Sequence, residues 1–149
     1  MKTIKKMFEH LHWANLRILE TLKTSGNQDH QAKQLFSHIL IAEEVWLNRM
    51  KGLPSGPQAL WTELSIEECS KLAEANYKNF TEFLTGLSDE KSEDIISYKN
   101  STGKEFSTSI ADILTHVALH GQYHRGQINR RLRQKKLEPI NIDYITYVR

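Results

Sequence analysis

Three of the chain's seven histidines, His116, His120 and His124, follow one another at four-residue spacing near the C-terminal end. On a helix, residues four apart share a face. Taking 100° per residue with Val117 at zero, Ile113 falls at about −40°, His120 at about −60°, His124 at about −20° and Ile128 at about +20°. His120 and His124 thus stand one turn apart inside an apolar stripe. Far away in sequence, His38 sits beside Leu35, Ile39 and Ala42 on the apolar face of another helix. A buried imidazole needs partners for both ring nitrogens. One such histidine is ordinarily a core residue satisfied by a carbonyl. Three on the inner faces of two helices favour a shared ion instead. An i, i+4 pair plus a third imidazole from a facing helix suits one divalent transition metal, zinc or nickel ahead of copper or iron.

The neighbours of these three are graded by the same geometry. His116, at about −100°, lies on the edge of the stripe and reads as a mouth residue or hydrogen-bond partner. Gln127, one turn beyond His124 and near the azimuth of His120, is a candidate to contact a ligand or substrate. His10, His12 and His30 read as surface or boundary residues, with His12 kept as a pocket candidate because it stands near the Phe8–Asn15 face. Gly121 occupies the place where an HExxH zinc protease carries its glutamate, so that reading fails. Glu43 and Glu44 project about 120° or more away from His38. With no carboxylate aimed at it, an ion held by three neutral ligands keeps its full charge and favours a hydroxide, a thiolate or an anionic substrate. Cys69 lies on an apolar face without a basic neighbour and reads as inert core. Trp13, Trp46 and Trp61 read as packing residues.

The elements that must position these side chains are mostly helical. Apolar residues recur every three or four positions from Ile4 to Lys23, and Thr24-Ser25-Gly26-Asn27 stops that helix. A second helix is expected from about Asp29 to Lys51, then a loop through Gly52, Pro54, Gly56 and Pro57 that carries Trp61. Ser65 and Glu68 form a capping box that opens a third helix, to about Gly86. Ile95–Tyr98 and Glu105–Thr108 flank Asn100-Ser101-Thr102-Gly103 as a short hairpin. A fourth helix begins at Ser109, with Asp112 as its box partner, and runs to about Lys136; Pro139 ends it. The tail from Ile140 to Arg149 is expected to be extended. Without a linker, repeat or low-complexity stretch, residues 1–149 read as one all-α four-helix-bundle domain.

Composition narrows the function classes. Apolar residues make up 39% and charged residues 26%, with a net charge of +2, which excludes a strongly basic nucleic-acid binder. The cations Arg125, Arg130, Arg131, Arg133, Lys135 and Lys136 read as a solvated helix end matched to the macrodipole. No specific nucleic-acid partner is expected, and no membrane span or signal peptide. A single cysteine fits a cytoplasmic location.

The run from His116 to Ile128, with His124-Arg125-Gly126-Gln127 at its centre, resembles the signature helix of the DinB/YfiT-like family. Trp13-Ala14-Asn15 is similar to that family's first-helix motif. His38-Ile39-Leu40, Ala42-Glu43 and Trp46-Leu47-Asn48-Arg49 are similar to its second, and Asp143-Tyr144-Ile145-Thr146-Tyr147 to its tail. The resemblance spans essentially the whole chain. It implies a four-helix bundle with a long crossover connection, a homodimer, and a three-histidine metal site falling on His38, His120 and His124. It also implies chemistry on a small-molecule substrate, by a metal-dependent hydrolase or by a thiol S-transferase or isomerase. The latter use a low-molecular-weight thiol such as bacillithiol, mycothiol or glutathione. The family's DNA-damage name describes induction and implies no DNA binding.

Three functions follow. The first is a metal-dependent enzyme that activates an external thiol for S-transfer or isomerisation, consistent with the open charge and the unreactive Cys69. The second is a hydrolase acting through water of lowered pKa, with only His116, His12 or a tyrosine to take the proton. The third is a non-catalytic metal-binding dimer.

Overall fold

A computed structural model describes residues 1–26, 29–56 and 58–149. Asn27, at the expected end of the first helix, and Pro57, in the expected loop, lie outside the described residues. The long helices are α1 (Lys2–Thr21), α2 (His30–Met50), α3 (Ile66–Thr85) and α4 (Ile110–Gln134). A π-type turn, Leu22–Gly26, follows α1.

The helix starts follow from local chemistry. Asp29 caps α2, its side chain accepting from the backbone N–H groups of Gln31 and Ala32. Ser65 and Glu68 close a reciprocal capping box on α3. The expected box on α4 is half made: Ser109 accepts from the Asp112 N–H, while its hydroxyl donates to the Asp112 carboxylate at 2.9 Å. The hairpin β1 (Ile95–Lys99) and β2 (Glu105–Ser109) pairs antiparallel, with Ile95 opposite Ser109 and Lys99 opposite Glu105. Gly103, at φ 83°, and the Asn100 side chain, which accepts from the Thr102 and Lys104 N–H groups, shape its turn.

The tail is not extended throughout. Ile140 and Ile142 are buried, and Tyr144–Val148 forms a short fifth helix, α5. Asn129 clamps the Ile140 backbone in both directions, at 2.8 Å each. The Ile142 carbonyl accepts from His10 Nε2 at 2.7 Å and from Gln122 at 3.3 Å. The sequence reading of His10 as a surface or boundary residue is therefore corrected: it is 6% exposed and holds the tail.

α2 packs against α3 and α4, and α1 packs against the same two helices. The core divides into two apolar clusters. One gathers Ile18, Phe36, Leu40, Ala73 and Ile128; the other gathers Phe8, Leu47, Phe80, Ile113 and Val117. A buried polar network takes one residue from each long helix: Asn15, Glu43, Asn76 and Arg125. Asn15 bridges this polar layer. Its amide nitrogen donates to Glu43 Oε1 at 2.9 Å, and its oxygen accepts from Arg125 Nη1 at 2.7 Å. Asn76 donates to Glu43 Oε2 at 3.1 Å.

Arg125 overturns its reading as part of a solvated basic end, since no part of it is exposed. Gly121 makes room for it: a Cβ there would stand 3.0 Å from Arg125 Nη1. Burial pushes the Glu43 carboxyl up to about 7, against the pull of both amides and of Arg125. Burial likewise lowers Arg125, to about 10, with Glu43 opposing the shift.

Candidate metal centre

α2 and α4 meet along the face that carries His38, His120 and His124. Their three Nε2 atoms converge. His38 Nε2 lies 3.2 Å from His120 Nε2, and His124 Nε2 lies 3.1 Å from the same atom. One ligand atom from each residue falls within 4.8 Å of the others. His38 and His124 are buried, and His120 is partly open.

The outer nitrogens of two of these rings are already committed. His38 Nδ1 lies 2.8 Å from the Leu60 carbonyl, and His124 Nδ1 lies 2.7 Å from Gln127 Oε1. Both partners are acceptors, so each Nδ1 carries the proton and each Nε2 presents a lone pair inward. His120 Nε2 can donate to one of these lone pairs at a time, so the three rings cannot satisfy one another. The protonated forms are disfavoured as well. His120 is held down to about 4, first by burial and then by its histidine neighbours and Arg125. His38 is lowered by burial, with the Leu60 carbonyl opposing and His124 adding to the shift.

Converging lone pairs from neutral imidazoles fit a divalent cation. Metal–nitrogen bonds of about 2.0–2.1 Å in tetrahedral geometry place neighbouring nitrogens about 3.3 Å apart. The two short separations, 3.1 and 3.2 Å, match that edge.

The surrounding residues divide into those brought to the cluster and those left elsewhere. Gln127 is at the site, on His124. His116 is exposed at its margin, its ring 5.4 Å from that of His120 and 5.2 Å from Trp46. His12, kept as a pocket candidate, stacks on Tyr77 of α3 at 3.8 Å. Glu43 is spent on Asn15 and Asn76, in keeping with its expected direction away from His38. Cys69 is buried, and burial pushes its thiol up.

Two contributors were not anticipated. The Leu60 carbonyl could not be found from side-chain patterns, because any residue supplies one. Trp61, read as packing, lies flat on His38 with centroids 3.6 Å apart and 1° between planes, yet is 50% exposed. Its position in a Gly/Pro-rich loop just before α3 was visible in the sequence; its target was not.

Fold and cluster together define a mostly helical protein with a small antiparallel hairpin and three imidazoles converging between two helices. The DinB family model matches residues 1–149, and the chain belongs to that family. It is similar to Protein DinB of Bacillus subtilis (strain 168): 28% identical over 160 aligned positions, covering 96% of this chain and 92% of that protein.

Proposed function

We propose that the protein is a metalloenzyme in which His38, His120 and His124 hold one divalent transition metal, zinc or nickel. The proposed activity is S-transfer or isomerisation with an external low-molecular-weight thiol. The observation that carries the reading is the convergence of three Nε2 atoms, two of them fixed as lone pairs by acceptors on their Nδ1 atoms. A divalent ion there would lower the pKa of a thiol brought to it and favour the anion.

The chain's own groups favour a thiol over water. A hydrolase needs a proton acceptor aimed at the attacking water. Glu43 is engaged elsewhere, and His116 is turned to the Trp46 ring at the margin. Cys69 is buried, so the reactive sulfur must come from outside. Trp61 covers one face of His38, and His38 and His124 are buried.

The long helices are read as a four-helix bundle with a long crossover connection, supported by each packing against two others. The protein is further read as a cytoplasmic homodimer. Leu16, Tyr144 and Ile145 are exposed, and Trp13 of the same region packs on Tyr147. Among the described residues no helix is long and apolar enough to cross a membrane.

The test loads the protein with cobalt or nickel and titrates bacillithiol, mycothiol and glutathione. A sulfur-to-metal charge-transfer band that saturates with thiol, strengthens with rising pH and is absent in His120→Ala is expected. Silence toward all three thiols, with metal-dependent hydrolysis of simple esters, would replace this reading with a hydrolase. Silence in both assays would leave a non-catalytic metal protein.

A further inference from the structure

A groove of about 380 Å³ runs beside the histidine cluster. Its walls include Gln34 and Leu35 of α2, Trp61 of the loop, and Gln127, Arg130 and Arg131 of α4. Two of these touch the cluster directly: Trp61 stacks on His38, and Gln127 accepts from His124. The groove therefore borders the outer edge of the cluster, on the Nδ1 side of His124.

Its chemistry is one-sided. Among the described residues the lining offers amides and guanidinium groups and no acidic side chain. Several of these groups are occupied. Gln34 donates to the Trp61 carbonyl at 3.0 Å, which ties the loop to α2. Arg131 is turned to the buried Asp29, at 3.1 and 3.2 Å. Arg130 differs: it is exposed, and among the described residues no ion pair engages it. Leu35 and the open half of Trp61 add a flat apolar surface. A planar guanidinium beside apolar walls suits a carboxylate or phosphate on an organic body, because its paired N–H groups match two oxygens at once. The volume is that of a small-molecule site.

We propose that this groove binds the organic part of the substrate, a small anionic molecule. Its carboxylate or phosphate pairs with Arg130, and its apolar body lies against Leu35 and Trp61, beside the histidine cluster. Only the identity of that molecule as the substrate rests on the metal-centre reading.

The test follows amide and indole N–H resonances of the full chain by NMR, with and without zinc, while phenylacetate, phenyl phosphate or phenylacetamide is added. At least one anion should bind about fivefold to tenfold more tightly than the neutral amide, the gain of one charge-assisted contact. The shifts should centre on Gln34, Trp61 and Gln127. Arg130→Gln should reduce that anion to the affinity of the amide, and Arg133→Gln, outside the groove, should not. Whichever anion gains more identifies the group that the groove prefers. Equal affinities for all three probes, an anion preference that survives Arg130→Gln, shifts centred elsewhere, or no binding at all would overturn the proposal. Failure to bind zinc with the anion preference intact would remove the metal reading and leave the groove. Normal zinc and thiol responses without an anion preference would remove the groove alone.

Discussion

Replacing Arg125 with Met should be among the most damaging single changes outside the histidines, and the structure says by how much and at what pH. The guanidinium is fully buried and donates to Asn15 Oδ1 at 2.7 Å and to Gln122 Oε1 at 3.2 and 3.3 Å. Methionine fills much of the volume but leaves both oxygens without their donor and Glu43 without its opposing charge. Each buried polar group left without its partner costs about 1–3 kcal/mol, and more for a charged one, so the summed loss should reach about 3–5 kcal/mol. That is a large part of a total stability of about 5–15 kcal/mol. Glu43→Gln in the same background removes the stranded carboxyl, so the double variant should recover about 1–3 kcal/mol relative to additivity.

The loss should also depend on pH. Glu43 already titrates near 7 in the fold, above its usual 4.5, and without Arg125 it rises further. A raised carboxyl favours the folded state below its unfolded pKa, and that contribution disappears as pH climbs through the folded value. The cost of Arg125→Met should therefore be largest at pH 8 and smaller at pH 6. Urea unfolding of the four proteins of the cycle at both pH values measures it. Additivity within about 0.5 kcal/mol, with equal cost at both pH values, would refute the account of the polar layer.

Further expectations concern the site, the tail and the surface. His120→Ala and His124→Ala should each abolish stoichiometric metal binding in protein purified without a histidine tag, whereas His116→Ala should retain most of it; metal analysis decides. His10 is lowered by burial, with the Ile142 carbonyl only partly offsetting the shift. Its contribution is therefore lost as pH falls below about 6.5, and His10→Gln should flatten the fall in the urea midpoint of metal-free protein between pH 7 and 5. Sedimentation at micromolar concentration should give a dimer; a clean monomer rejects the second copy. Binding to DNA should be weak and drop steeply with salt, as counterion release requires, and a tight sequence-dependent complex would contradict it.

The sequence made the long helices legible because their signals are local. Apolar periodicity and the Ser65–Glu68 box act within a few residues, and β1 and β2 announce themselves by the Asn100–Gly103 turn. The candidate ligands were legible for the same reason, since i, i+4 spacing fixes a shared face. What could not be read depends on contacts between distant segments. Arg125 stands in a run of cations, and its burial depends on Asn15, 110 residues away, as well as on nearby Gln122. His10 and the short helix α5 owe their places to the tail folding back over 132 residues of sequence. Glu43 was correctly directed away from His38, but α2 is buried on many sides, so pointing away did not mean pointing to water.

The two groups that orient the inner imidazoles differ in how they can change without loss. Position 127 must keep an acceptor at the reach of its side chain, so glutamate is the one substitution that preserves the bond to His124. It would make that ring more electron-rich by adding a negative charge behind it. Position 60 reaches His38 Nδ1 through its main-chain oxygen, at 2.8 Å, so another apolar side chain that keeps the packing of Leu60 on the core leaves the ring in place. The constraint there falls on the path of the chain instead. Inserting or deleting a residue between α2 and α3 would swing that carbonyl away and reorient His38, although no residue of the cluster had been altered. In this loop, length matters more than spelling.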